Sequence, residues 1–130
     1  MPGTVHVLMP GDVVCADQGV RLETLLGSCV AVVMTDRRRT VGAMCHIVHT
    51  RPAGSGGPLP GGGAQSALDE MYGQLRRRGF TPSLCEAFVF GGGNMFPELV
   101  EGTHVGERNG DYVLRRLAAD QVRVVQQDLG

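Results

Sequence analysis

Two apolar runs separated by a short polar segment make up residues 29–48, CVAVVMTDRRRTVGAMCHIV. The first run, residues 29–34, has the dense β-branched content of a strand that is buried on both faces. The polar residues 36–39 are typical of a hairpin turn, and residues 41–48 are the expected antiparallel partner. The sequence therefore predicts a central hairpin with Cys29 and His46 at the same end.

The flanking sequence predicts further strands and two helices. Apolar runs of strand length occur at residues 5–8, 85–90 and 122–125, and Val13-Val14 begins another predicted strand. Apolar residues at spacings of three and four predict amphipathic helices over residues 64–75 and 113–118. Residues 52–63, rich in glycine and proline, predict a mobile loop. We therefore expect an α/β (α+β) sandwich in which a mixed, largely antiparallel sheet has helices packed on its faces.

Length and composition favour one folded domain over residues 1–130. The chain is 42% hydrophobic and 19% charged, which supplies a core without strong charge repulsion. A formal net charge of -1 gives no global attraction to nucleic acid. No apolar run approaches the length of a membrane helix, and the N-terminus lacks a signal pattern. We expect a cytoplasmic protein that does not insert into membranes and whose cysteines are reduced.

Among the four cysteines, Cys29 has the sequence setting of a nucleophile. It follows Gly27 and Ser28, where a permissive backbone bend would expose the sulfur and direct amide N–H groups towards a developing oxyanion. The other cysteines lie in or beside apolar runs, where small buried side chains are common. Side chains alternate between the two faces of a strand, so Cys45 and His46 point to opposite sides and cannot form a catalytic pair. No set of four converging ligands is indicated, so we expect neither a metal nor another cofactor.

Four sequence blocks resemble the signature of the CheD family. They are residues 24–32 (TLLGSCVAV), 42–46 (GAMCH), 90–96 (FGGGNMF) and 105–109 (VGERN). CheD proteins are chemoreceptor glutamine deamidases, related in fold to bacterial toxin deamidases. The resemblance implies a cysteine-dependent amidohydrolase that converts glutamine side chains to glutamate on methyl-accepting chemotaxis receptors.

The resemblance also implies the residues of the active site. It gives Cys29 the role of nucleophile, His46 that of base, and Thr24 that of a third catalytic residue, although in some relatives the threonine aligns with Glu23. The backbone of Gly27 and Ser28 is expected to form the oxyanion site. Two further residues are expected beside it: Met44, which either lines the pocket or packs in the core, and Gly92, which either packs closely against the site or belongs to a plain turn.

The resemblance further implies partners and two alternative functions. The expected substrates are the cytoplasmic helices of chemoreceptors, and CheC-type phosphatases are expected binding partners. Longer relatives continue beyond the position of Gly130, so we expect this chain to lack their last strand. The alternatives are a non-catalytic adaptor that binds such a phosphatase, and a receptor methylesterase that uses the same cysteine.

Overall fold

The computed structural model describes residues 4–26, 29–48, 64–91 and 105–129. Seven strands and two helices form within these ranges, with a short 3₁₀ turn at Pro82–Leu84. In chain order they are β1 (Val5–Leu8), β2 (Val13–Asp17), β3 (Arg21–Thr24), β4 (Val30–Thr35), β5 (Val41–Ile47), α1 (Ala64–Arg77), β6 (Glu86–Gly91), α2 (Val105–Ala119) and β7 (Arg123–Leu129). The predicted loop over residues 52–63 lies outside the described residues.

The main sheet has five strands in the order β2-β5-β4-β6-β7. Its pairs are antiparallel except for β6 and β7, which run parallel. This arrangement confirms the mixed, largely antiparallel sheet. The central hairpin is confirmed as well, because β4 pairs with β5 from Val30 opposite Ile47 to Thr35 opposite Gly42.

A second, smaller sheet is a parallel ribbon of β1 and β3. Its register places Leu8 beside Thr24 and Val5 beside Arg21. Although β1 and β2 are consecutive and joined through the Pro10 turn, they do not pair, since β2 lies instead against β5. The sequence predicted β1 and β2 as strands but did not indicate β3 or the ribbon.

Both helices pack on the same face of the main sheet and share one core. Their buried residues form a single cluster with the sheet, comprising Val30, Val32, Met34, Ala43, Cys45, Ile47, Leu68, Met71, Leu75, Val89, Val113 and Leu117 among others. Polar contacts join the helices: the Tyr72 hydroxyl donates to Asp120 just after α2 at 2.8 Å, and Arg116 pairs with Asp69. The opposite face of the sheet is therefore free to carry a polar site.

Candidate active site

His46 lies on the face of the sheet that the helices do not cover. Alternation along β5 directs Cys45 into the helix-side core and His46 to the other side. The ring is nevertheless only 3% exposed, and it contacts Thr24 of the β1–β3 ribbon. The ribbon thus supplies a hydrogen-bonding partner to a histidine that the main sheet presents.

The tautomer of His46 follows from its hydrogen bonds. The Thr24 hydroxyl lies 2.8 Å from the Leu8 carbonyl oxygen and 2.6 Å from Nδ1 of His46. A hydroxyl has one proton, and the carbonyl can only accept, so Thr24 donates to Leu8 and accepts from Nδ1–H. In a neutral imidazole with Nδ1 protonated, Nε2 carries the lone pair. Thr24 and Leu8 therefore prepare Nε2 to take a proton.

Nε2 of His46 is buried and makes no hydrogen bond to any residue that the structure describes. An unpartnered buried polar atom costs about 1–3 kcal/mol, so its retention calls for an explanation such as a catalytic role. Burial lowers the pKa of His46 below its ordinary value, and the nearby charge of Asp12 partly opposes that shift. The ring is therefore neutral at pH 7, the form in which an imidazole acts as a base.

Cys29 lies one residue before β4, half-buried, at the same end of the hairpin as His46. Ala31 pairs with His46, and strand alternation carries the side chain of Cys29 to the same face as Ala31. The two side chains are then diagonal cross-strand neighbours, a relation that typically separates residues by about 7–8 Å. Accordingly, the sulfur is not hydrogen-bonded to Nε2 in this structure.

The Cys29 thiol is protonated in this arrangement. Burial raises its pKa above the ordinary value of 9.0. The same effect lowers the pKa of His46, so both groups are held in uncharged forms. This geometry therefore favours a neutral thiol beside a neutral imidazole, and not a thiolate–imidazolium pair.

Gly91 fixes the backbone of Cys29 against β6. It has φ of 107°, a conformation that side chains rarely adopt. A Cβ atom at this position would also collide with the Cys29 carbonyl oxygen. The predicted site residue was the neighbouring Gly92, which lies outside the described residues. The close backbone packing against Cys29 is observed at Gly91.

The remaining predicted site residues have mixed outcomes. Thr24 contacts the histidine, whereas Glu23 points to the exposed side of the ribbon and pairs with Arg21 at 2.8 Å. Met44 is half-buried on the same face of β5 as His46. Gly27, Ser28 and Gly92 lie outside the described residues.

Two contributors to the site were missed by sequence analysis. The Leu8 carbonyl orients Thr24, and the turn around Gly11 and Asp12 holds His46 through its backbone: Gly11 N–H donates to His46 O at 2.9 Å, and His46 N–H donates to Asp12 O at 3.0 Å. Hydrogen bonds made by backbone groups cannot be predicted from residue identity. The Pro10-Gly11 turn signal was visible, but its position next to His46 depends on the pairing of β2 with β5.

Within the described part of the chain, no group of three or more histidine, cysteine or acidic side chains converges to hold a metal ion. All four cysteines have free thiols. Of α1 and α2, neither has the length and apolar content to cross a membrane.

Sequence comparison with known proteins assigns this chain to a family. A family model described as CheD chemotactic sensory transduction matches residues 53–130. A protein of Albidiferax ferrireducens named probable chemoreceptor glutamine deamidase CheD 2 is 36% identical over 94% of this chain and 73% of its own length. The chain belongs to the CheD family. Proteins of Pseudomonas syringae pv. syringae and Methanococcus vannielii, both named probable chemoreceptor glutamine deamidase CheD, are 34% and 32% identical to this chain. The alignments cover 72% and 78% of those proteins.

The family model and the relatives cover different parts of the site. The CheD model begins at residue 53, after Thr24, Cys29 and His46. The alignment with the Albidiferax protein leaves only a few residues of this chain uncovered, so these three positions lie within it. Membership of the CheD family thus extends to the part of the chain that carries the candidate site.

Proposed function

We propose that this chain hydrolyses glutamine side-chain amides on chemoreceptors, releasing ammonia and leaving glutamate. The observation that carries the proposal is the buried, unpartnered Nε2 of His46, oriented through Thr24 and facing the same side of the sheet as Cys29. The names of the CheD relatives supply the substrate class. The chemistry consumes water and no other co-reactant, so no cofactor is required.

In the first half-reaction, His46 Nε2 removes the proton from the Cys29 thiol as the sulfur attacks the amide carbon of glutamine. The carbonyl oxygen becomes an oxyanion in the tetrahedral intermediate. The imidazolium then gives its proton to the amide nitrogen, the C–N bond breaks, and ammonia leaves. A thioester between Cys29 and the former glutamine side chain remains.

In the second half-reaction, His46 Nε2 takes a proton from water, and the oxygen attacks the thioester carbon. The C–S bond breaks, the sulfur regains a proton from the imidazolium, and glutamate is released. Throughout both halves, Nδ1–H stays hydrogen-bonded to Thr24, which stabilises the ring when it is charged. Thr24 acts as a positioning residue because it works through His46.

The thiol must approach the ring for this mechanism to start. Hydrogen bonds between nucleophile and base are often long in unliganded enzymes and tighten when substrate binds. Cys29 and His46 share a face of the sheet, and we expect a side-chain rotation of the half-buried Cys29, without strand movement, to shorten the gap. We propose that the backbone N–H groups of Ser28 and Cys29 stabilise the oxyanion and that Gly27, Gly92 and Met44 belong to the pocket.

We propose that the chain acts in the cytoplasm, where the receptor segments that it modifies lie, and that a CheC-type phosphatase is a further partner.

A non-catalytic adaptor would need only a surface for that phosphatase. The oriented lone pair of His46 favours catalysis, because a binding surface gains nothing from a buried, unpartnered nitrogen. A methylesterase would use the same thioester, and the product distinguishes it: methanol is released in place of ammonia.

Ammonia release from a purified receptor fragment tests the proposal. We expect Cys29→Ala and His46→Gln to lose activity by about 10³-fold or more, because nucleophile and base act as a unit. Thr24→Val leaves Nδ1–H without its acceptor and is expected to lose activity by about 10²-fold or more, whereas Thr24→Ser keeps the hydroxyl and most of the rate. Mass spectrometry locates each glutamine that has become glutamate.

The same series contains the result that would refute the proposal. Equal ammonia release by wild type and Cys29→Ala would remove the cysteine mechanism. Methanol release from methylated fragments, with no ammonia from amidated ones, would establish the methylesterase instead.

A further inference from the structure

A row of three side chains crosses the middle strands of the main sheet on the face that the helices leave uncovered. Ala31 of β4 pairs with His46 of β5 on one side and with Phe90 of β6 on the other. Paired residues of neighbouring strands point to the same face of a sheet, so Phe90 shares the face of His46. The adjacent Val89 points the opposite way, into the helix-side core. Phe90 therefore lies half-buried beside the candidate site, on the side away from that core.

Phe90 has the same relation to Cys29 as His46 has. Cys29 precedes Ala31 by two residues and shares its face, and the partners of Ala31 in the two neighbouring strands are His46 and Phe90. Both rings are therefore diagonal cross-strand neighbours of Cys29, at the roughly 7–8 Å that aromatic side chains can span. The proposed nucleophile thus has an imidazole towards β5 and a phenyl ring towards β6.

The spacing of the strands suits one extended aliphatic chain between the two rings. Adjacent strands lie about 4.8 Å apart, so the backbones of β5 and β6 are about 10 Å apart across β4. A methylene chain in contact with a ring on each side requires about 3.5–4.0 Å to each ring, or about 7–8 Å in all. Between the two rings, Ala31 contributes only a methyl group. This spacing matches the two methylene groups that precede the amide of a glutamine side chain.

We propose that Phe90 is a specificity-determining residue, whose ring packs against the methylene groups of the substrate glutamine and holds its amide carbon at the Cys29 sulfur. This inference rests on the proposed deamidase function. Ligand sites typically combine an apolar or aromatic wall with a few polar groups that fix orientation. Here Phe90 is the wall and His46 is the polar group. Asparagine is one methylene shorter, and a missing methylene in an apolar site costs about 10–200-fold in kcat/KM. Phe90 therefore favours glutamine over asparagine.

Phe90→Ala and Phe88→Ala form a matched pair of substitutions. Phe88 lies on the same strand and face and is also half-buried, but it pairs with Val33, one row further from Cys29. For ammonia release from a receptor fragment with one target glutamine, we expect Phe90→Ala to lower kcat/KM about tenfold or more and Phe88→Ala to change it by less than about twofold. With asparagine at the target position, Phe90→Ala is expected to have a smaller effect, so the preference for glutamine narrows. Phe90→Leu keeps apolar bulk and is expected to recover most of the loss.

A binding cycle separates a missing contact from missing deamidation. In Cys29→Ala protein, fluorescence anisotropy measures the affinity for the labelled fragment with glutamine or with alanine at the target position. We expect the change to alanine to weaken binding about threefold or more when Phe90 is present, and to have little effect in the Phe90→Ala variant. Phe88→Ala is expected to leave the difference unchanged.

Coupling of this kind supports the contact even where wild type releases no ammonia, an outcome that would refute only the deamidase. Equal losses of affinity with and without Phe90→Ala would overturn the inference. An unchanged preference for glutamine over asparagine in folded Phe90→Ala protein would overturn it as well, whether or not kcat/KM fell.

Discussion

Burial acts in opposite directions on the pKa values of Cys29 and His46, the two side chains that we propose to react. It raises the pKa of the Cys29 thiol above 9.0 and lowers that of the His46 imidazole below 6.5. At neutral pH, the thiol keeps its proton and the ring remains unprotonated. We therefore expect kcat/KM for receptor deamidation to fall on acidification with a midpoint below pH 6.5, as His46 becomes protonated, and to be level through neutral pH.

Alkylation of the resting thiol with iodoacetamide provides the complementary measurement. Because only the thiolate reacts, the rate at Cys29 is expected to climb with a midpoint above pH 9.0. Cys45 provides an internal control: burial raises its pKa to about 12, so it stays unmodified in folded protein. A plateau of rapid Cys29 alkylation at neutral pH would contradict the neutral pair and would indicate a resting thiolate–imidazolium pair instead.

At this scale, the sequence indicated Cys29 and His46 as candidate residues but did not indicate the groups that contact and position them. Cys29 and His46 stand in recognisable motifs, and the hairpin between them has a clear pattern. The choice between Thr24 and Glu23 stayed open because β3, a four-residue strand, was not predicted. In the structure, neighbouring residues of β3 face opposite sides of the ribbon, and it is Thr24 that contacts His46, which favours Thr24 over Glu23.

Strand β6 packs through Gly91 against the backbone of Cys29, the proposed nucleophile. The partner of Gly91 in the register is Val30, and a side chain at Gly91 would strike the carbonyl oxygen of Cys29. We expect Gly91→Ala to displace the Cys29 backbone and to reduce deamidase activity by about tenfold or more, since small misplacements of reacting groups are costly. Ammonia release measured at a temperature where the variant is fully folded gives the effect.

Gly42→Ala is the matched control for that substitution. Gly42 also lies in a strand of the main sheet, but a Cβ atom there meets nothing within 4 Å. Its activity is expected to remain near that of wild type. Equal activities of the two alanine variants would show that β6 does not set the position of Cys29.

Apart from β3, the strands were predictable from local pattern, but of their pairings only the β4–β5 hairpin was predicted. The runs at residues 5–8 and 13–14 gave β1 and β2, yet the Pro10 turn does not join them as a hairpin. Pairing depends on burial of side chains that are distant in sequence, and β1 is mostly exposed, so its own pattern specifies no partner. The helices, by contrast, follow from spacing alone, although α2 starts eight residues earlier than its predicted span.

Across the described residues, the hydrophobic core and the proposed active site lie on opposite sides of the main sheet. The hydrophobic core joins β4, β5 and β6 to both helices, whereas the ribbon and His46 occupy the other face. We propose that residues 1–130 form one domain built on this core. Leu68→Ala, inside the core, is expected to lower the free energy of unfolding by about 2–5 kcal/mol, with deamidation retained while the protein stays folded.

Leu8→Ala removes a buried side chain of the ribbon. We expect the opposite of the Leu68→Ala result: deamidation is lost while the core stays folded. An isolated two-stranded ribbon is marginal, so its inner-face packing decides whether it stays docked. Loss of that packing frees the Leu8–Thr24–His46 chain of hydrogen bonds and abolishes deamidation. Because the ribbon opens without the core, the midpoint of denaturant unfolding shifts less than in Leu68→Ala, while hydrogen exchange quickens at the amides of β1 and β3. Exchange that quickened equally in β4 and β5 would show instead that ribbon and core unfold as one unit.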